Sequence, residues 1–352
     1  MVTRSKGARP ASVTSHDVAR AAGVSQSTVS RVLREDARVS AEIRERVLRA
    51  LTETGYTVNA AARAFRTSRT GAIGVVVARL TNPIYPALLD LIGARLTTLG
   101  QRMIVWNAEH GGDMQAAQAI RQGAVDGVML TATTVDSMFV REIASARAPV
   151  VLINRTLEGY PADQVSSDNY DGGRRVAEYL LRCGRARIAL VGGAQHASTI
   201  RDRERGFRDA LDAAGAPLPS HYFERTQAFS HASGHEAMLR LMQLAAPPDA
   251  VFCVNDVLAL GAIDGARAAG ALVPDDVWVV GYDDIELASW GAYSLTTVRQ
   301  PLAEMVLAAT GLLIDRIGEP ARALESRTFG NELVIRQSTA RATEAVSVAE
   351  RG

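Results

Sequence analysis

From residue 71 onward, short apolar runs alternate with amphipathic stretches, and this alternation constrains the fold more than any other feature of the chain. The apolar runs fall at 72–77, 103–106, 127–130, 150–153, 188–191, 250–254 and 278–281. Helical periodicity falls at 86–99, 114–122, 170–181, 201–214, 234–244, 257–269 and 302–317. A strand followed by a helix must cross over before the next strand can pair with it. The pattern therefore predicts parallel sheets with helices on both faces. A stretch of about 280 residues fits two such units better than one. Open sheets of this kind bind ligands beyond the carboxyl ends of their strands. Here 150–153 runs into Asn154-Arg155, 250–254 into Asn255-Asp256, and 278–281 into Tyr282-Asp283-Asp284. Amides, carboxylates and an arginine at such ends make a hydrogen-bonding site for a small polar molecule. Asp256 reads as a cap on the following helix, and Asn255 as either a cap or a ligand contact.

The first 70 residues are different. They carry thirteen Arg and Lys against six Asp and Glu, a net of +7; with +1 for the whole chain, the rest carries −6. A basic head on an acidic body suits a polyanionic partner. Thr14 with Asp17 approximates a capping box ahead of Val18, Ala19 and Ala22, and Gly23 suits a helix end. Ser25 opens a second helix whose Val29, Val32 and Leu33 face the first, leaving Gln26, Ser27, Ser30 and Arg31 on the outer face. Ser40 opens a third, with Ile43, Val47 and Leu51 as its stripe and Gly55 past its end. Two short helices joined through Ala22-Gly23-Val24-Ser25 read as helix-turn-helix, whose second helix enters the major groove.

Other classes are disfavoured. Apolar residues at 47% and a small net charge argue against disorder throughout. No apolar run approaches ~18 residues, so no membrane span is expected. Arg4, Lys6 and Arg9 precede no apolar core of a signal peptide, and Cys183 and Cys253 are too few for a disulfide framework. The expected location is the cytoplasm. His231 and His235 stand four apart with no third metal ligand evident, so no metal site and no cofactor is expected. No nucleophile elbow, phosphate loop or dinucleotide fingerprint is present, so the chain reads as not an enzyme.

The run from Val13 to Ser25, followed by Ser27-Thr28-Val29-Ser30-Arg31-Val32-Leu33, resembles the DNA-binding domain of the LacI/GalR transcription regulators. The resemblance extends over nearly the whole chain. It continues through Leu80-Thr81-Asn82-Pro83, Ser167-Asp168-Asn169, Arg203 with Gly206-Phe207, and Asn255-Asp256. Val279-Val280-Gly281-Tyr282-Asp283-Asp284 and Gln300-Pro301 add to it. It implies an α/β chain: an N-terminal all-α helix-turn-helix domain at 10–56, a hinge helix and linker at 57–70, and a two-lobed periplasmic-binding-protein-like body with parallel sheets at 71–342. Lobe 1 would take about 71–169 and 299–328, lobe 2 about 170–298 and 329–342, leaving a tail at 343–352.

The DNA-facing set is Thr14, Ser25, Gln26, Ser27, Thr28, Ser30 and Arg31, joined from the hinge by Asn59, Arg63 and Phe65. Phe65 stands where the family usually has a leucine wedge, and Val58 where it usually has proline. By position, the resemblance implies effector contacts at Asn82, Tyr85, Asn154, Arg203, Phe229, Asn255, Asp283 and Gln300, with Phe229 stacking on a sugar face. The expected function is a transcriptional repressor with two partners: a pseudo-palindromic operator DNA and a small-molecule effector, a sugar or sugar derivative; Phe229 with Asn154 and Asp283 favours a neutral sugar, and Arg79, Arg155 and Arg203 near the same cleft leave a sugar acid or phosphate as the alternative. The rivals are a solute-binding protein or an enzyme on the same two-lobed fold. Two-fold operators call for a homodimer, with the interface expected along the body, including the apolar face of 86–99. Only about ten residues follow Ala342, too few for a tetramerising coiled coil.

Overall fold

A computed structural model of the chain describes residues 13–33, 36–55, 69–132 and 148–339, the side chains of residues 110 and 113 excepted. It divides into two compact units, Met1–Thr70 and Gly71–Gly352. The hinge residues Asn59, Arg63 and Phe65 and the tail 343–352 lie outside the described residues.

In the first unit, three helices enclose a small core: α1 (Ser15–Ala22), α2 (Gln26–Val32) and α3 (Ala41–Thr54). Thr14 and Asp17 form a full capping box; the Thr14 amide donates to the Asp17 carboxylate at 3.0 Å. Gly23 ends α1 at φ 63°, a left-handed conformation that costs other residues strain. Ser25 Oγ accepts the Thr28 amide at the start of α2. Val18, Val29, Val32 and Val47 are buried together. Arg46 of α3 donates to the Ala22 carbonyl at 2.6 Å, fixing the turn between α1 and α2.

The second unit holds two parallel sheets. The first has strand order β11-β5-β4-β3-β1-β2, built from β1 (Ala72–Val77), β2 (Arg102–Asn107), β3 (Gly127–Leu130), β4 (Val150–Ile153), β5 (Asp163–Ser167) and β11 (Ser326–Phe329). Alternate residues of β1 serve opposite faces, as a strand's period of two requires. Ile73 and Val75 meet Leu88, Ile92 and Leu96 of α4 (Ile84–Thr98) and Met305, Leu312 and Leu313 of α10 (Leu302–Gly318). Ala72 and Val76 meet Ala116, Ala117 and Ile120 of α5 (Gly112–Arg121). Arg316 of α10 forms a buried two-point ion pair with Asp163, at 3.0 and 2.8 Å, which pins this helix to the start of β5.

The second sheet has order β7-β6-β8-β9, from β6 (Ile188–Gly192), β7 (Phe223–Arg225), β8 (Ala250–Cys253) and β9 (Trp278–Val280). Helices α6 (Asn169–Arg182), α7 (Ser198–Ala213), α8 (His231–Met242) and α9 (Asp256–Ala268) accompany it. Phe207 and Phe252 meet in its core with ring centroids 4.9 Å apart. A Cβ on Gly206 would lie 1.9 Å from the Tyr170 carbonyl oxygen, so only glycine lets α6 and α7 approach this closely. The chain passes between the two sheets three times: between β5 and α6, between β9 and α10 along β10 (Thr297–Arg299), and after β11 along β12 (Glu332–Val334), the last two strands pairing antiparallel.

The seven expected strands and seven expected helices of the body are all present, with ends shifted by up to three residues. The expectation missed β5, β7, β10, β11 and β12. It also misjudged the apolar face of α4: Leu88, Ile92 and Leu96 are buried under the chain's own sheet and are not free to face a partner.

Candidate functional site

Four strand ends converge on one cleft. It contains about 360 Å³ of empty space, part of it open to solvent. On the side of the first sheet, Arg79 and Asn82 follow β1, Tyr85 begins α4, and Asn154 and Arg155 follow β4. On the side of the second, Arg203 rises from α7, Asn255 follows β8, Asp283 follows β9, and Phe229 precedes α8. Ile84, Thr199 and Ile200 complete the lining.

Each polar group has a distinct state. Asn154 takes φ 77°, and its Nδ2 donates to the Thr131 carbonyl at 3.4 Å, while its Oδ1 is buried without a hydrogen-bond partner. Asn255 Oδ1 accepts the Leu258 amide at 2.9 Å and so caps α9. Asn82 Oδ1 accepts the Ile84 amide at 3.3 Å.

Arg203 is held on every side. Its Nε donates to Asn169 Oδ1 at 2.8 Å, Nη1 to the Val254 carbonyl at 2.8 Å, and Nη2 pairs with Asp283 Oδ1 at 3.0 Å. Its guanidinium also lies 3.6 Å from the centroid of the Tyr282 ring. Burial pushes the Asp283 carboxyl above its ordinary value, and Arg203 and Gln300 pull it back. Gln300 Nε2 donates to Asp283 Oδ1 at 2.8 Å, and Gln300 Oε1 accepts from Ser167 Oγ at 2.7 Å. Ser167 ends a strand of the first sheet and Asp283 follows a strand of the second, so Gln300 joins the two sides by hydrogen bonds. Two further contacts span the cleft. The Thr156 amide donates to Ser198 Oγ at 3.0 Å, and the Arg79 guanidinium stands 4.8 Å from the Phe229 ring centroid.

In the first unit, Gln26, Ser27 and Arg31 are exposed on one helix. Ser25 Oγ lies 2.8 Å from both Ser27 Oγ and Thr28 Oγ1, which ties the first turn of α2. Thr14 is exposed at the start of α1 and Thr28 is half-buried.

The pattern of bacterial regulatory proteins of the lacI family matches residues 14–59, and that of a periplasmic binding protein-like domain matches residues 177–339. The chain is 37% identical over 298 residues to the HTH-type transcriptional regulator DegA of Bacillus subtilis (strain 168), a span of 83% of this chain and 88% of that protein. The chain belongs to the lacI family of bacterial regulatory proteins. This lacI-family chain also matches the lac repressor dimer bound to operator and the anti-inducer ONPF, with a TM-score of 0.84 at 26% identity over 94% of this chain and 100% of that one. It matches the complex of the transcriptional regulator CelR with cellobiose at a TM-score of 0.71 and 32% identity, over 94% of this chain and 100% of CelR.

Seven of the eight expected effector contacts line the cleft, and the eighth, Gln300, stands behind Asp283. Two expectations need correction. Ser30 is 9% exposed, where the expectation placed it on the outer face of α2. Asp256 caps nothing: Asn255 does, while Asp256 is fully buried and accepts from Thr297 Oγ1 at 2.6 Å and the Ile285 amide at 2.9 Å. Arg79 and Arg155, expected near the cleft beside Arg203 but outside the expected contact set, line it. His231 meets Asp264 Oδ2 at 2.9 Å and is thereby engaged in a surface pair.

Proposed function

We propose that the chain is a transcriptional repressor that binds operator DNA through its three-helix unit and is controlled by a sugar or sugar derivative held in the cleft of its body. The carrying observation is the cleft itself: strand ends of both sheets supply its polar groups, so one small molecule touching Asn154 on one side and Asn255 or Asp283 on the other would tie the two sides together. Support comes from membership of a family of transcriptional regulators and from the likeness to CelR, whose structure holds cellobiose, and to the lac repressor dimer on its operator. The protein acts as a homodimer, each protomer placing α2 in one major-groove half-site. Asn82, Tyr85, Asn154, Arg203, Phe229, Asn255 and Asp283 form the effector site, with Gln300 positioning Asp283. Gln26, Ser27 and Arg31 read the operator, and Asn59, Arg63 and Phe65 carry the hinge contacts. A coupling of about 1–3 kcal/mol between the two sites suffices for regulation. The test is operator selection from a random DNA pool, followed by gel-shift titration with a panel of monosaccharides and disaccharides. Enrichment of a two-fold site whose affinity changes with one compound supports the reading. Failure to enrich any sequence refutes it.

A further inference from the structure

Among the described residues, the charges lining the cleft do not balance. Its described lining holds three arginines, Arg79, Arg155 and Arg203, and one carboxylate, Asp283. That carboxylate is engaged by Arg203 at 3.0 Å. Arg155 is 6% exposed and meets only neutral oxygens, the Ala132 carbonyl at 3.1 Å and the Tyr85 hydroxyl at 3.4 Å. Its Nε is buried with no acceptor at all. Arg79 faces the Phe229 ring from the same side of the cleft. A guanidinium removed from water without a counter-ion is costly, and a missing donor partner adds to the cost. Both arginines belong to the side of the first sheet, following β1 and β4.

We infer that the effector is an anionic hydroxylated molecule, whose carboxylate or phosphate group is received by Arg155 and Arg79. The inference rests on the effector-site reading above and narrows it. A planar guanidinium fork matches either anion, and the free Nε of Arg155 supplies a donor for it. The unpartnered Oδ1 of Asn154 takes a ligand hydroxyl, as does the free amide of Asn255, whose Oδ1 is engaged by the helix cap.

The experiment is calorimetric titration of the full chain at fixed ionic strength. The compounds are glucose, glucuronate, gluconate, glucose 6-phosphate, ribose, ribose 5-phosphate and inorganic phosphate, tested on the wild type, Arg155→Gln, Arg155→Lys and Arg79→Gln. At least one sugar anion should bind tenfold or more tighter than its neutral parent, and whether it is an acid or a phosphate identifies the anion. Its affinity should fall about tenfold or more in Arg79→Gln and Arg155→Gln, with partial retention in Arg155→Lys. The ligand-free melting midpoint of each variant reports folding, and Arg79→Gln, at a half-buried loop position, carries the test if Arg155→Gln fails to fold. A neutral sugar binding as tightly as its anionic counterpart overturns the inference. So does an anion affinity unchanged in the variants, or no binding of any anion on the panel. A neutral sugar that binds and shifts operator affinity sinks the anion assignment and leaves the regulator reading standing. Operator binding indifferent to every compound counts against both.

Discussion

Arg203 and Asp283 illustrate how a single pair can hold a site and be part of it. Both are nearly inaccessible, and each is the other's only charged partner among the cleft residues. Removing the arginine alone leaves a buried carboxylate with Gln300 for company. Arg203→Gln should therefore destabilise the body by about 3–5 kcal/mol, and the double variant Arg203→Gln with Asp283→Asn by clearly less. Urea melts of the four proteins of this cycle measure it, and additive losses would show that the pair is not coupled. A second buried carboxylate gives a pH signature. Burial, with the neighbouring charge of Asp283 and then of Asp284, pushes Asp256 from 3.8 up to about 7. The folded chain then binds this proton more tightly than the unfolded one, so the contribution of Asp256 to stability is greatest below 3.8 and is lost as pH rises toward 7. Asp256→Asn keeps an acceptor for the Ile285 amide and offers Thr297 a donor in place of a charge. Relative to that variant, the wild type should lose on the order of 1 kcal/mol or more between pH 5 and pH 7.5. Parallel stability–pH curves for the two proteins would contradict this.

Helix α2 is the element proposed to read the operator, and its exposed and buried sides separate by residue. Gln26→Ala and Arg31→Ala should each cost about 1–3 kcal/mol and relax preference at one base position. Ser30→Ala, on the buried side, should lower the melting temperature of the three-helix unit and leave base preference intact; selection from a random pool reads all three. An Arg31→Ala protein weakened equally on every sequence would make Arg31 a phosphate anchor. The sequence shows which elements exist wherever apolar patterning is strong, as in β1, β3, β4 and β8, which are buried throughout. It is silent on β5, Asp-Gln-Val-Ser-Ser, and on the edge strand β11, Ser-Arg-Thr-Phe, because their residues satisfy neither a continuous nor an alternating apolar pattern. Those strands form because neighbours already in the sheet offer their edges. The misplacement of Ser30 has a similar origin: a seven-residue helix gives less than two turns from which to set the phase of the wheel. Asp256 was misread as a cap because either side chain can cap, and only its burial against Thr297 and Ile285 shows that it turns inward. That seven of the eight proposed effector residues line one cleft was legible by resemblance. The charge imbalance around Arg155 was not, because it depends on Asp283 being taken by Arg203, a pairing between residues 80 positions apart.

At the scale of the molecule, the proposed operator and effector sites fall in separate compact units, so regulation requires that the state of the cleft alter how the protein holds DNA. The cleft has cross-contacts that a ligand can replace or reinforce: Thr156 to Ser198, Arg79 to Phe229, and the Ser167–Gln300–Asp283 chain. Light scattering at micromolar concentration should report a dimer, and a tetramer would contradict the assembly argued from operator symmetry. The most direct test of the whole account is fluorescence anisotropy of a labelled, selected operator, titrated with protein at saturating concentrations of each sugar and sugar anion, in the wild type and in Phe229→Ala. The account predicts one compound that moves the wild-type operator midpoint tenfold or more and moves the variant's far less. A compound that binds the cleft by calorimetry yet leaves the operator midpoint where it was would contradict it.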